Sequence, residues 1–478
     1  MPPEPIPTTN PASNGRTRTP GAVLLLSCYE SGHQPLGLAW PAAFLRAAGF
    51  SPVSQDLALE RLSPEAVRAA ALVAISVPMH TALVLGVRVA RRVRELNPAC
   101  HIAFHGLYAA LNGPHLPPGV ADTVLGAEAE PELVALAQAL AAGTEKAAGH
   151  ARTNAPRPPG RVAFVPPDRQ ALPPLARYAQ LLPAGGAEPV AAGYVEASRG
   201  CKHRCLHCPL VPVYRGRFFA VPRDQVLADV ERLVAGGAGH ITFGDPDFLN
   251  GPGHALALVR ALHARFPGVG YDVTTKVEHL LRHRALLPEL AATGCRFVVS
   301  AVESLSDAVL TALDKGHTRA DVEEALALTR RAGLVLRPTL LPFTPWAGLP
   351  DYLELLEFVA AEGLVHQVEP VQFSLRLLVP PGSALLDTPQ FAPFQGAPDA
   401  EAFTCRWRHP DPRMDALQAR VAGIVEAATA DGLPPEDTFR AILAAALEAA
   451  GQPDRLTPLL AAAPPAPPAP RLSEPWFC

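Results

Sequence analysis

Between Arg199 and Arg217 the chain reads RGCKHRCLHCPLVPVYRGR, and Cys201, Cys205 and Cys208 stand there at CxxxCxxC spacing. Three thiolates in so short a loop can converge on one soft metal centre. Two centres answer to that description. A four-iron cluster held by three cysteines keeps one iron open to a small molecule. A closed zinc site takes four ligands, and His203 and His207 could complete it as a zinc knuckle.

Side chains that could serve such a centre come later, each near the end of an apolar run. They are Gly244, Asp245 and Asp247 in GDPDF, then Thr274 and Lys276, Glu303, Arg337 and Arg376. An acid suits an ammonium group, although GDPDF also reads as an Asp-Pro turn with an Asx cap. Guanidinium groups suit a carboxylate; a surface ion pair is their other reading.

These residues need elements to position them. Short apolar runs at Ala22–Ser27, Pro52–Asp56, Ala71–Val77, His101–His105 and Ala121–Leu125 read as buried parallel strands. Helical patterns at Leu38–Ala48, Ala82–Leu96 and Glu130–Ala142 alternate with them. That pattern predicts a doubly wound, flavodoxin-like sheet over residues 21–145. It has no GxGxxG fingerprint, so nothing supports a dinucleotide. A Pro/Arg/Ala-rich linker follows over 146–186. Strands are then expected at Val190–Ala197, His240–Phe243, Tyr271–Thr275, Arg296–Ala301, Leu334–Leu341 and Val371–Leu377. Helices fall between them at 223–235, 253–265, 277–290, 318–332 and 350–362, giving six strand–helix units. By analogy with closed barrels, function should sit at the carboxyl ends of the strands. Residues 401–451 read as alanine-rich helices and 452–478 as a Pro/Ala tail.

Composition sets further bounds. The other five cysteines (Cys28, Cys100, Cys295, Cys405 and Cys478) are scattered and too few for a disulfide scaffold. A reducing cytoplasm fits. A formal charge of −4 carries no basic footprint for nucleic acid. Residues 1–20 are polar, proline-rich and expected to be disordered, and they lack the apolar core of a signal peptide. No run of apolar residues is long enough to suggest a membrane span.

The cysteine loop, with His207 in the aromatic place before its last cysteine, resembles the cluster loop of the radical S-adenosylmethionine (SAM) superfamily. The resemblance implies a partial (β/α)6 barrel over 187–400 and a [4Fe–4S] cluster on Cys201, Cys205 and Cys208. The open iron would hold the amino and carboxylate groups of SAM. One electron, from a donor such as flavodoxin or ferredoxin, would split the sulfonium. The resulting 5′-deoxyadenosyl radical would take hydrogen from a small-molecule or peptide substrate. GDPDF occupies the place of the family's GGE motif, which holds the SAM amino group, so Gly244, Asp245 and Asp247 are implied cofactor contacts. Thr274 and Lys276 point to the same mouth. Ala301-Val302-Glu303-Ser304 resembles the family's GxES stretch and gives Glu303 a bond to SAM; Asp314-Lys315-Gly316-His317-Thr318 continues that likeness.

Residues 32–50 and 126–137 resemble the cobalamin-binding domain that precedes many radical SAM domains. The usual DxHxxG lower-ligand motif is missing, and Ser31-Gly32-His33 is its nearest approach, so a tight histidine-ligated cobalamin is not expected. Cobalamin itself stays open, and with it a cobalamin-dependent methylase; a zinc-bound scaffold is the non-enzyme alternative. The ending SEPWFC resembles a radical SAM family with a CUAEP or CCAEP tail, in which U is selenocysteine. Cys478 would be the first cysteine of that tail. The natural chain is then expected to continue with Sec-Ala-Glu-Pro past a UGA codon. A thiol–selenol pair of that kind could act as a redox couple or chalcogen carrier.

Overall fold

The computed structural model describes residues 16–143, 160, 162–465 and 467–474. Its first unit places β1 (Val23–Ser27), α1 (Leu36–Ala47), β2 (Val53–Asp56), α2 (Pro64–Ala69), β3 (Leu72–Ser76), α3 (His80–Leu96), β4 (His101–His105), α4 (Leu107–Asn112), β5 (Thr123–Val124) and α5 (Glu130–Ala142) in chain order. The strands are all parallel, in the order β2-β1-β3-β4-β5. β1 and β3 are buried along their whole length, which is why their sequences are continuously apolar rather than alternating. The order reverses between β1 and β3, the switch point where open α/β sheets commonly take ligands. The segment expected to be disordered gains structure before its end. Arg16–Arg18 forms a 3-10 turn, and buried Thr17 donates its hydroxyl to Ala137 O at 2.9 Å.

The second unit begins inside the segment read as linker, with β6 (Gln180–Leu182). It continues through β7 (Val190–Val195), β8 (Ser198–Gly200), α6 (Leu210–Tyr214), β9 (Phe218–Ala220), α7 (Arg223–Ala235), β10 (His240–Phe243) and α8 (Pro252–Arg265). Next come β11 (Gly270–Thr274), α9 (Val277–Arg282), α10 (Leu287–Ala292), β12 (Cys295–Glu303), α11 (Asp307–Ala312), α12 (Arg319–Arg331), β13 (Val335–Leu340) and α13 (Leu349–Ala361). A hairpin, β14 (Gln395–Asp399) with β15 (Thr404–Trp407), leads to α14 (Pro412–Asp431), α15 (Pro435–Ala449), α16 (Leu456–Ala462) and β16 (Arg471–Leu472). The large sheet runs β13-β12-β11-β10-β7-β6-β16. The five strands from β13 to β7 are parallel, forming a curled half-barrel with helices outside. One apolar core joins the outer sheet face, the helices after each strand, and α14 and α15.

Three expectations are corrected here. No sixth strand forms at 371–377: Pro370–Ser374 is a 3-10 turn, and only Arg376 bridges to Phe343. The Gln372 side-chain oxygen accepts the Leu340 N–H at 2.8 Å, taking a donor that a sixth strand could have used. The helix expected over 277–290 breaks at His283, because Pro288 opens α10 in its first turn, where a missing N–H costs nothing. The tail is not merely a linker. β16 pairs antiparallel with β6, which is antiparallel to β7, so β16 runs in the direction of β7, toward the carboxyl ends.

Candidate active site

β7 ends at Val195, and the chain crosses into the small β8–β9 ladder that brackets the cysteine loop. Gly200 makes the entry possible: at φ +75° it lies where a Cβ would stand 2.4 Å from Arg217 O and 2.6 Å from the Tyr214 ring. The loop is then pinned from several sides. Leu206 N donates to Leu313 O at 2.9 Å, and Lys202 Nζ donates to Asn250 O at 2.6 Å. Asn250 Nδ2 donates to Cys201 Sγ at 3.5 Å. Burial raises the Cys201 thiol and pushes Cys208 up to about 12, with Cys205 and Cys201 adding to the rise at Cys208. The three sulfurs thus sit close enough to feel one another. A soft cationic centre would offset that cost, so the donor set fits a [4Fe–4S] cluster with three protein ligands. The two histidines proposed to complete a zinc knuckle face carboxylates instead: His203 Nε2 lies 2.9 Å from Asp247 Oδ2, and His207 Nε2 lies 3.4 Å from Glu303 Oε1.

Glu303 closes β12 in the left-handed region, at φ +64°, unusual for a residue with a Cβ. Its carbonyl accepts Leu341 N at 2.8 Å, and Lys315 Nζ, with a side chain only 2% exposed, holds its carboxylate at 3.1 Å. Burial by itself would raise the Glu303 carboxyl, but the Lys315 ammonium and His207 outweigh it and hold it well below the usual carboxylate range. For Lys315, burial opposes the charge while Glu303 and Cys205 favour it, and the ammonium ends above its ordinary range. A charged carboxylate therefore stands beside the cysteine loop.

The two acids of GDPDF do different work. Asp245 accepts Ala197 N at 2.9 Å and the Ser198 hydroxyl, tying the exit of β10 to that of β7; burial pushes its carboxyl up to about 7. Asp247 is fully buried among His203, His279, Thr275 and Leu249 N. Gly244 is required for close approach, since a Cβ there would stand 2.0 Å from Tyr194 Oη. Thr274 is half-buried at the end of β11, and Lys276 Nζ lies 3.5 Å from Glu278 Oε2. Both arginines expected at the mouth already have partners within the chain. Arg337 donates to Pro470 O at 3.2 Å and pairs with Glu369. Arg376 pairs with Asp415 at 2.6 Å and lies over the Trp407 ring at 3.6 Å. Cys478 lies outside the described residues.

Sequence reasoning missed the residue that joins the two units. Arg199, two positions before Cys201, is buried and pairs with Glu128 at 2.9 Å, Glu130 at 2.7 Å and Glu196 at 2.8 Å. Trp40 and Phe164 flank its guanidinium, each with its ring centre 5.2 Å away. Tyr214 donates its hydroxyl to Glu128 at 2.7 Å. The run GAEAE at 126–130 was the available signal, but nothing in it named a partner.

The resemblance of residues 32–50 and 126–137 to a cobalamin-binding domain implies a cobalamin site, and the residues at the β1–β3 switch point do not fit one. Glu30 takes that place itself, accepting Gly37 N at 3.1 Å and the Ser76 hydroxyl at 3.4 Å. His33 is stacked on Tyr194 at 3.5 Å between ring centres, and burial holds it down at about 3. Gly32 backs directly onto Glu474, whose Oε1 accepts the Tyr29 hydroxyl at 2.8 Å. Glu30, His33 and Glu474 are thus each engaged with the chain's own groups.

Comparison with known proteins agrees with this geometry. A family model described as the radical SAM superfamily matches residues 195–356. The ribosomal protein uS12 methylthiotransferase RimO of Geobacter sulfurreducens is 27% identical over 194 residues, covering 36% of this chain and 40% of that protein. The tRNA-2-methylthio-N(6)-dimethylallyladenosine synthase of Desulfosudis oleivorans is 29% identical over 177 residues, covering 35% and 37%. The chain thus spans about two-fifths of the length of these curated relatives. Among solved structures, the cobalamin-dependent SAM radical enzyme OxsB with aqua-cobalamin bound shares 14% identity at a TM-score of 0.63, over 85% of this chain and 67% of that one. The radical SAM methyltransferase TsrM from Kitasatospora setae, with cobalamin and a [4Fe–4S] cluster, shares 18% at 0.54, over 71% and 70%. These likenesses show the fold. Residues 195–356 thus match the radical SAM superfamily, a family that uses a [4Fe–4S] cluster and S-adenosylmethionine.

Proposed function

We propose that the chain is a radical SAM enzyme whose cluster is ligated by Cys201, Cys205 and Cys208 and which acts on a small-molecule or peptide substrate in a reducing cytoplasm. The observation that carries this reading is the pinned three-cysteine loop with an ionised Glu303 beside it. When bound, cluster and SAM would supply a 5′-deoxyadenosyl radical able to abstract hydrogen, given one electron from a flavodoxin- or ferredoxin-like donor. The chain's own residues orient and exclude. Glu303, kept charged by Lys315 and His207, suits the SAM ammonium. Gly244 lets backbone approach closely, and Thr274 and Lys276 offer polar groups at the same strand ends. Tyr194 and His33 stack at the seam between the two units.

Anaerobically purified protein should carry iron and sulfide at one [4Fe–4S] equivalent and release 5′-deoxyadenosine from SAM on reduction. Changing Cys201, Cys205 and Cys208 together to Ala should abolish both. Unchanged iron and sulfide in that variant would sink the reading, and one equivalent of zinc without sulfide would favour a scaffold.

The resemblance of SEPWFC to the CUAEP/CCAEP tail supports a finer proposal, that the natural chain continues past Cys478 with selenocysteine. The codon after Cys478 decides it. UGA with Ala-Glu-Pro in frame upholds the extension; UAA, UAG, or UGA without Ala-Glu-Pro in frame refutes it.

A further inference from the structure

Three side chains from three separate elements meet beside the cysteine loop without sharing its ligands. His203 comes from the loop itself, Asp247 from the β10–α8 connection and His279 from α9. Their side chains are 12%, 0% and 8% exposed, and their nearest donor atoms all lie within 4.8 Å of one another. Asp247 is fixed from behind, because Oδ1 accepts the Thr275 hydroxyl at 2.7 Å and Leu249 N at 3.2 Å. Its other oxygen faces the two imidazoles, His203 Nε2 at 2.9 Å and His279 Nδ1 at 2.7 Å. The second contact is the telling one. His279 Nδ1 is buried and makes no aligned hydrogen bond, although the carboxylate oxygen is that near. Donor atoms that share an ion sit slightly farther apart than this and point past one another, toward the ion. Among the described residues no lysine or arginine pairs with Asp247, so a fully buried carboxylate has only imidazoles as candidate counter-charges.

From this arrangement we infer that His203, Asp247 and His279 form a second metal site, one that takes a divalent first-row transition ion. Two imidazoles and one carboxylate suit zinc, iron or cobalt rather than magnesium or calcium, which prefer all-oxygen sites. Bond lengths near 2.0–2.2 Å require the two short contacts to open by a few tenths of an ångström. Three protein ligands leave a coordination position for water or a substrate group, as in catalytic zinc sites. His203 lies between Cys201 and Cys205, so the ion would share a loop with the cluster while using none of its thiolates.

The test uses cobalt(II), whose ligand-field bands report nitrogen and oxygen ligation, in the full-length triple variant Cys201→Ala, Cys205→Ala, Cys208→Ala. Without thiolates to compete, one equivalent should bind, and adding His279→Ala should weaken it by about 100-fold or more. A triple variant with native circular dichroism that binds no cobalt, or binds it equally after His279→Ala, overturns the site. If the triple variant fails to fold, the holoprotein answers instead, by elemental analysis of wild type and His279→Ala with sulfide as the cluster control. Loss of one metal equivalent at constant sulfide supports the site, and identical metal content overturns it. Absence of cluster from wild type would undo the radical SAM reading and leave this result standing.

Discussion

Glu30 shows what a single buried side chain does to the energetics of the first unit. Burial, with Glu196 and Asp56 nearby, pushes its carboxyl up to about 8, although backbone N–H groups of Gly37 and Leu36 pull the other way. A carboxyl raised on folding holds its proton in the native state after the unfolded chain has lost it. Its contribution to stability is therefore complete below the unfolded value and declines as pH rises toward 8. The slope can reach about 1.4 kcal/mol per pH unit. Asp245, raised to about 7, adds in the same direction, whereas His33, lowered to about 3, works oppositely below neutrality. Glu30→Gln removes one contribution only. The urea midpoint of wild type should fall more between pH 5.5 and 7.5 than that of the variant; parallel behaviour of the two would refute the assignment. At this scale the sequence was partly legible. The three cysteines announced themselves by spacing, and Glu303 by its neighbours. His279 is one histidine on an ordinary amphipathic helix, and Arg337 is an arginine on a strand, whose partners depend on a tail more than a hundred residues away.

At the scale of elements, what could be read followed from length and burial. β1 and β3 are apolar throughout because both faces are covered, and α7 buries Val226, Leu227, Val230 and Leu233 on one face. The expected sixth strand failed for a reason no periodicity carries. Its residues alternate acceptably, but Pro370 sets a tight turn and Gln372 uses its amide oxygen on β13. β6 and β16, at three and two residues, are too short to leave a period at all. Their pairing comes from the tertiary context: Leu472 packs with Leu181, Ala192 and Phe297. Small elements also frame the site. The β8–β9 ladder is three residues long on each side, yet it fixes where the cysteine loop begins and ends.

At the scale of the whole molecule, one buried cation ties carboxylates of the two α/β units together. Arg199 gathers Glu128 and Glu130 from the first unit and Glu196 from the second, all around a guanidinium with little exposure. Removing the cation leaves carboxylates buried without compensation, so Arg199→Met should cost about 3–5 kcal/mol, read by denaturant unfolding. In a double-mutant cycle with Glu130→Gln the losses should be less than additive; a cost below about 1 kcal/mol, the range of an exposed pair, would show the network to be solvated. Lysine should not rescue, since a point charge cannot serve three carboxylates as a planar fork does. The pairing of β16 with β6 has a consequence for biogenesis. Leu472 meets Leu181 across most of the chain, so on a ribosome β6 is made long before its partner emerges. At about 5–20 residues per second, the outer edge of the sheet stands open for many seconds after β7 has paired. An unpaired edge is a template for a neighbouring chain. β16, the last strand among the described residues, therefore covers β6 late and leaves as the sheet's edge a strand only two residues long, and short edge strands are one way of blunting such a template.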